Sequence, residues 1–152
     1  RLTAYGPRED AAYWAECEAI IKALPDNISV VYGGEVPHEQ VPTRLAEHDL
    51  MVLPTANENF GHSILEALLA GCPVLISDRT PWRGLQAKGV GWDLPLEDPD
   101  GFTRVLQECV DMADARWQAL SRAARALGEE AARDPEASEQ NRRLLRQALT
   151  AP

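Results

Sequence analysis

The chain is organised around Glu58-Asn59-Phe60-Gly61-His62-Ser63-Ile64-Leu65-Glu66, which continues as Ala67-Leu68-Leu69-Ala70-Gly71-Cys72-Pro73-Val74-Leu75. The apolar run Met51-Val52-Leu53-Pro54 before it predicts a strand, Gly61 predicts the start of a helix, and Pro73–Ser77 predicts the next strand. A carboxylate in an otherwise apolar helix is unfavourable unless hydrogen bonds compensate for its burial. The segment therefore predicts a strand–loop–helix–strand unit whose two glutamates face a polar ligand.

The predicted helix suits a ligand that carries phosphates and hydroxyls. Its first turn offers free N–H groups and the positive end of the helix dipole. Gly61 has no Cβ, so a ligand can approach the backbone, and a valine there is expected to block the ligand while leaving the fold largely intact. Glu66 lies about 7–8 Å further along the axis, and Glu58 faces the opposite side. Both carboxylates suit hydroxyls, provided that the helix N-terminus holds the phosphates between them.

Strands and helices are predicted to alternate along the whole chain. The predicted strands are Leu2–Tyr5, Ile28–Tyr32, Met51–Leu53, Pro73–Ser77 and Gly91–Leu94. The predicted helices are Glu9–Leu24, His38–Glu47, one from Gly61, a short turn near Trp82–Ala87, Asp98–Met112, Ala113–Arg133 and Pro135–Leu149. This alternation predicts an α/β fold with a doubly wound parallel sheet, both of whose faces are covered. Ligands bind such sheets at the carboxyl ends of the strands, where Glu35, Thr55–Phe60 and Asp78 fall.

Length and composition restrict the possible partners. We expect the 152 residues to form a single domain, residues 1–152, with C-terminal helices at about 113–150. The net charge of −9 argues against binding to nucleic acid or to an anionic membrane. No apolar window is long enough for a transmembrane span, and no signal peptide is visible, so we expect a cytoplasmic fragment of a larger protein. Cys17, Cys72 and Cys109 are too scattered for a disulfide framework or a zinc site.

The central segment resembles the Glu-x7-Glu motif of family-4-type (group 1) retaining glycosyltransferases of the GT-B fold. The resemblance covers roughly residues 2–110, and the surrounding pattern makes it specific. That pattern comprises Asp49–Pro54, Ala70-Gly71-Cys72-Pro73-Val74, Asp78, Thr80-Pro81-Trp82-Arg83 and, upstream, Val31–Val36.

The resemblance implies a Rossmann-like C-terminal half that binds the nucleotide-sugar donor, with a UDP-, GDP- or ADP-linked sugar. Glu66 would accept the ribose hydroxyls, and Glu58, the catalytic candidate, would contact the donor sugar. The backbone at Phe60, Gly61, His62 and Ser63 would hold sugar and phosphate, and Val36 would pack on the base. The donor is a substrate, and neither a cofactor nor a metal ion is expected.

Two parts expected from the resemblance are missing from the sequence. One is an N-terminal acceptor domain with a catalytic histidine, and the other is a first strand with the Arg/Lys pair that clamps the diphosphate. The chain alone should therefore not catalyse transfer. The full-length protein is expected to serve polysaccharide or glycan assembly on the cytosolic side of a membrane, with any membrane contact made by the missing domain.

Other interpretations stay open at the level of sequence. A signalling receiver domain has a similar size, but it needs an aspartate at the carboxyl end of a central strand, whereas Asp49 lies at the other end. A nucleotide-sugar epimerase of GT-B type and a non-catalytic nucleotide-binding module also fit, and product analysis would separate epimerase from transferase. The imidazole of His62 either contacts a phosphate or sugar or is an exposed side chain without a role. Trp82 is either a packing residue or a platform for a sugar.

Overall fold

The structure, a computed structural model, describes residues 1–133. The strands are β1 (Leu2–Tyr5), β2 (Val30–Gly34), β3 (Met51–Leu53), β4 (Val74–Ser77) and β5 (Gly91–Leu94). The helices are α1 (Ala11–Lys22), α2 (Val41–Ala46), α3 (His62–Ala70), α4 (Leu85–Lys88), α5 (Pro99–Val110) and α6 (Asp114–Arg133), with a 3₁₀ turn at His38–Gln40. The helix predicted at Pro135–Leu149 lies outside the described residues.

The predicted alternation of strands and helices is confirmed, but one predicted helix is divided. The segment predicted as a helix over His38–Glu47 is a 3₁₀ turn followed by α2. Proline has no N–H, so Pro42 cannot donate the α-helical bond to the carbonyl of His38. Val41 instead donates to that carbonyl in the tighter 3₁₀ pattern. The second strand also begins at Val30 rather than at Ile28, which is exposed in the preceding loop.

The described part of the chain divides into two compact units, Arg1–Val41 and the described residues from Pro42 onward, and each has its own parallel sheet. In the first unit β1 pairs with β2, and Asp10 caps α1 by accepting the N–H groups of Ala12 and Tyr13 at 2.9 and 3.0 Å. The guanidinium of Arg8 lies 3.7 Å from the ring centroid of Tyr32. Hydrogen bonding and cation–π contact thus organise this unit.

The second unit contains a three-stranded parallel sheet in the order β3-β4-β5. The central strand β4 is completely buried. Val74 and Ile76 pack into one hydrophobic core, and Leu75, which points to the opposite face, packs into another with Trp92 and Val105. Both faces of the sheet are therefore covered, as the continuous apolar run predicted, and the Rossmann-like α/β fold is confirmed.

Helix α6 packs closely on α3, the helix that carries the central motif. A Cβ at Gly128 would lie 2.7 Å from the backbone nitrogen of Leu69 and 2.8 Å from the carbonyl carbon of Leu68. Arg125 Nη2 donates to the carbonyl of Ala70 at 3.0 Å, near the C-terminus of α3. Backbone contact and a hydrogen bond thus hold the C-terminal part of α3 against α6.

The three cysteines are free, and two of them lie in surroundings that suppress ionisation. Burial raises the pKa of the Cys72 thiol to about 12 and that of the Cys109 thiol to about 11. At neutral pH both are therefore thiols, which are poor nucleophiles and poor metal ligands. Within residues 1–133 no group of three or more His, Cys, Asp and Glu side chains could hold a metal ion.

No helix within residues 1–133 is both long enough and apolar enough to cross a membrane.

The packing of α6 on α3 predicts whether one substitution, Gly128→Ala, stabilises or destabilises the fold. At an open helical position, replacing Gly with Ala stabilises a protein by about 0.5–1 kcal/mol. Gly128→Ala should instead destabilise the fold by about 1–3 kcal/mol, because its Cβ meets backbone that cannot move aside. Urea denaturation would measure the change, with Ala126→Ser on the exposed face of α6 as the control. A Gly128→Ala variant that is more stable than the wild type would contradict the close packing.

Candidate functional site

The carboxyl ends of β3 and β4 carry two loops that are bonded to each other. We call residues 54–61 the β3–α3 loop and residues 78–84 the β4–α4 loop. Ser77 Oγ, at the end of β4, donates to the carbonyl of Thr55 at 2.5 Å. The backbone N–H of Glu58 donates to the carbonyl of Arg79 at 3.1 Å. These bonds join the loops into one edge, where a parallel α/β sheet binds its ligands.

Gly61 turns the chain from the β3–α3 loop into α3. It caps the helix with φ +80° and ψ +55°, a left-handed conformation that other residues rarely adopt. A Cβ at this position would lie 2.8 Å from Ile64 Cδ1 and 3.0 Å from Trp82 Nε1. A side chain at Gly61 would therefore be strained, and the expectation that a valine there blocks the ligand and leaves the fold largely intact stays a prediction, to be checked on the stability of that variant.

The peptide bond between Phe60 and Gly61 is held at both of its polar groups. Trp82 Nε1 donates to the carbonyl of Phe60 at 2.7 Å. Glu58 Oε1 accepts the N–H of Gly61 at 3.1 Å. The first helical bond of α3 then runs from the N–H of Leu65 to the carbonyl of Gly61 at 2.9 Å. The first N–H groups of a helix have no acceptor within the helix. In α3 one of these groups, that of Gly61, is bound to Glu58.

The two glutamates of the motif differ in their surroundings. Glu58 is half-buried in the β3–α3 loop, and its backbone N–H and its carboxylate both bind backbone. Glu66 is half-buried in the second turn of α3, between residues that enter the core. The structure thus places one glutamate before the N-terminus of α3 and the other within the helix, as predicted.

Three aromatic rings lie at the same edge, and we call Phe60, His62 and Trp82 the aromatic cluster. The rings of Phe60 and His62 are 4.6 Å apart between centroids, and those of Phe60 and Trp82 are 6.4 Å apart, edge to face. His62 is exposed as the first residue of α3, whereas Trp82 is half-buried. Ser63 follows His62 in the first turn and is half-buried.

The charged groups of the β4–α4 loop form ion pairs of their own. Arg79 pairs with Glu97 at 2.5 Å and approaches Asp78 at 3.4 Å. The hydrogen bond and the charge of Glu97 raise the pKa of Arg79 above its ordinary value. The atom that Arg79 approaches, Asp78 Oδ1, is buried and accepts no hydrogen bond within the described residues, so this contact is an ion pair only.

Sequence reasoning did not identify Asp93 or Arg79 as part of this edge. Asp93 lies in β5, and its carboxylate accepts the N–H groups of Gly84 and Leu85 at 3.0 and 2.8 Å. It therefore fixes the β4–α4 loop that carries Trp82. No sequence signal marks this contact. An N-cap aspartate normally stands just before its helix, whereas Asp93 follows α4 in the chain and lies in a strand.

The predicted site residues fall in both units. Glu58, Phe60, Gly61, His62, Ser63 and Glu66 lie together in one loop–helix segment of the second unit. Val36 is half-buried in the first unit, just after β2, and Glu35 beside it is exposed. The segment at the start of α3 is thus the candidate site, and Val36 remains a separate prediction.

A parallel sheet with both faces covered and bonded polar loops at its carboxyl edge defines a Rossmann-like α/β domain. The family described as "Glycosyl transferases group 1" matches residues 1–127. The chain belongs to this family.

Curated relatives match shorter parts of the chain. The 2-deoxystreptamine N-acetyl-D-glucosaminyltransferase of Streptomyces fradiae is 43% identical over 44 residues, which are 29% of this chain and 10% of that protein. The 2-deoxystreptamine glucosyltransferase of Streptomyces kanamyceticus is 31% identical over 65 residues, 43% of this chain and 17% of that protein. The matched regions are thus small parts of both relatives.

Two solved structures share the fold. Anabaena HepE in complex with UDP superposes with a TM-score of 0.68 at 22% identity, over 85% of this chain and 36% of that one. Sucrose-phosphate synthase from Thermosynechococcus elongatus superposes with a TM-score of 0.68 at 24% identity, over 99% of this chain and 38% of that one. The chain therefore spans little more than a third of the solved structures that it resembles.

The geometry at Gly61 predicts a difference between two glycines. Gly84 also has a left-handed conformation, but a Cβ there would meet nothing within 4 Å. Gly84→Ala should therefore cost only the backbone strain of about 1–2 kcal/mol. Gly61→Ala should cost about 1 kcal/mol more, because its methyl group lies against the ring of Trp82, which the bond to Phe60 holds in place, although Ile64 Cδ1 can move aside. Thermal or urea denaturation would measure both, and equal losses would show that Gly61 is not sterically confined.

Proposed function

We propose that this chain is the donor-binding part of a glycosyltransferase, which moves a sugar from a nucleotide-sugar to an acceptor. The observation that carries the proposal is the start of α3, where a helix N-terminus lies in sequence between two half-buried glutamates at the carboxyl edge of a parallel sheet. Membership in the group 1 family supports it. So do the activities of the two Streptomyces relatives and the UDP bound to Anabaena HepE.

In the proposed complex the diphosphate binds at the first turn of α3. The N–H of Gly61 is occupied by Glu58, so the phosphate oxygens would accept from the backbone of His62 and Ser63. Glu66, one turn further along, would accept the ribose hydroxyls. The helix N-terminus supplies positive potential, and we propose that no metal ion and no other cofactor is needed.

Glu58 would act on the sugar side of the phosphates. Its carboxylate oxygens have several acceptor sites, of which the bond to Gly61 uses one. We propose that it contacts the donor sugar and stabilises positive charge that develops at the anomeric carbon. From the family resemblance we further propose that configuration at that carbon is retained.

We propose that acceptor binding requires a further, N-terminal domain, so that this chain alone binds the donor without transferring its sugar. The chain covers 36% and 38% of the two solved structures, which supports the proposal that another part of the protein binds the acceptor. Val36 would contact the base, and whether the base is uracil, guanine or adenine is decided by experiment.

Nucleotide binding is the first test. Titration of the 152-residue chain with UDP, GDP and ADP, followed by ¹⁵N–¹H NMR, should shift the amide signals of residues 58–66 with one nucleotide more than with the others. His62 and Ser63 should respond most strongly, since their N–H groups meet the phosphates. Saturating concentrations of all three nucleotides without a change at these residues would contradict the donor site.

A pair of substitutions in the full-length enzyme separates the two glutamates. Glu66→Gln should weaken donor and free nucleoside diphosphate alike by about 10- to 150-fold, the equivalent of one charge-assisted hydrogen bond of about 1.5–3 kcal/mol. Glu58→Gln should leave nucleotide affinity nearly unchanged and lower turnover, because its amide oxygen can still accept the N–H of Gly61.

Calorimetry and initial-rate kinetics supply the two readouts, with Glu130→Gln on the exposed part of α6 as the control. Equal losses of nucleotide affinity in the Glu58 and Glu66 variants would refute the separate roles. Full activity of Glu58→Gln would remove that residue from the mechanism.

A further inference from the structure

Trp82 is the residue of the aromatic cluster whose role the proposed function leaves unexplained. Its indole N–H donates to the carbonyl of Phe60 at 2.7 Å, across 22 residues of sequence. The N–H of the same peptide bond, at Gly61, is bound by Glu58. Because a peptide unit is planar, holding its carbonyl and its N–H fixes the rotation of the whole plane. That plane leads directly into the first turn of α3.

Trp82 is itself held in place by the β4–α4 loop. Its backbone N–H donates to Thr80 Oγ1 at 3.2 Å, and Thr80 is buried. Gly84, two residues after Trp82, and Leu85 donate their N–H groups to the carboxylate of Asp93, which ties the loop to β5. The ring of Trp82 also meets that of Phe60 edge to face. The indole donor is thus preorganised by the sheet and does not depend on a ligand.

We propose that Trp82 is a positioning residue for the donor site. Through the Phe60–Gly61 peptide bond it would set the direction of the first-turn N–H groups of α3 that meet the diphosphate. This inference rests on the proposed function, since it assumes that a nucleotide binds there. Loss of the indole donor would let the peptide plane rotate, and the first turn would then present its N–H groups less accurately to the phosphates.

The chain contains a matched control for this bond. Trp117 Nε1, in α6, donates to the carbonyl of Asp49 at 2.8 Å. Asp49 precedes β3, so this bond lies at the amino end of that strand, away from the candidate site. Trp82→Phe and Trp117→Phe therefore each remove one bond between an indole N–H and a backbone carbonyl while keeping an aromatic ring. The two variants differ in which part of the sheet loses the bond.

Calorimetric titration with the nucleotide that the wild-type chain prefers is the test. Trp82→Phe should bind it about five- to tenfold more weakly, the equivalent of one net hydrogen bond. Trp117→Phe should stay within about twofold of the wild type, although it loses the same kind of bond. In the full-length enzyme Trp82→Phe should raise the donor KM more than it lowers kcat, since the phosphate contacts are present before and during transfer. Glu58→Gln should instead lower kcat more than it raises the donor KM.

The wild-type chain supplies a second readout that does not depend on the folding of a variant. The Nε1–H signal of Trp82 should shift when the nucleotide binds, and that of Trp117 should not. The amides of Gly61, His62 and Ser63 should differ between Trp82→Phe and wild type even without nucleotide. Unchanged amides, or equal affinities of Trp82→Phe and wild type, would overturn the positioning role.

The outcomes separate this inference from the proposed function. A wild-type chain that binds none of UDP, GDP and ADP contradicts the donor site, whatever Trp82 does to the amides of α3. If the wild-type chain binds a nucleotide and Trp82→Phe binds it with equal affinity, the donor site is supported and the positioning role is refuted. Equal losses in Trp82→Phe and Trp117→Phe would show a general loss of stability and would also refute it.

Discussion

The left-handed turn at Gly61 is the constraint on which the candidate site depends. Gly61 is the last residue of the loop, residues 54–61, by which the chain leaves β3, crosses the carboxyl edge of the sheet and enters α3. The space that a side chain would need is filled by Ile64 from the core and by Trp82 from the neighbouring loop. The same turn presents the Gly61 N–H to Glu58 and the Phe60 carbonyl to Trp82. Backbone conformation, core packing and loop-to-loop bonding therefore converge on one peptide bond.

The rest of the second unit holds this turn in place. The central strand β4 is buried on both faces, and its last residue, Ser77, binds the carbonyl of Thr55 in the loop that leads to Gly61. Helix α6 approaches the backbone of α3 at Gly128. A rigid support of this kind suits a site that must present N–H groups in a fixed direction, because the cost of ordering them is met during folding rather than during binding.

Much of this architecture could be predicted from the sequence. Apolar runs located β3, β4 and β5, and the motif placed Glu58, Gly61 and Glu66 correctly around the start of α3. Prediction was weaker where a single backbone group decides the result, as at Pro42, whose missing N–H divides the helix expected over His38–Glu47. Residues 1–133 also form two parallel sheets, a division that local strand patterns do not encode.

The packing around Gly61 could not be predicted for a related reason. Sequence alone shows that a glycine permits close approach and a positive φ, but it does not show which atoms occupy the space beside it. Trp82 comes from a loop 22 residues away, so its bond to Phe60 carries no local signal. The Glu58–Gly61 bond spans only three residues, yet a glutamate before a helix is equally compatible with facing a ligand. The contacts that order the site are thus the ones that only the folded structure reveals.

The most direct test of the account is a crystal structure of the protein with an intact nucleotide-sugar bound. We expect the diphosphate oxygens to lie within hydrogen-bonding distance, about 2.7–3.2 Å, of the backbone nitrogens of His62 and Ser63. The ribose should contact Glu66 and the sugar should contact Glu58, with the Phe60–Gly61 peptide bond still held by Trp82. A nucleotide-sugar bound away from the start of α3, or a first turn of α3 in which Glu58 and Trp82 have released that peptide bond, would contradict it.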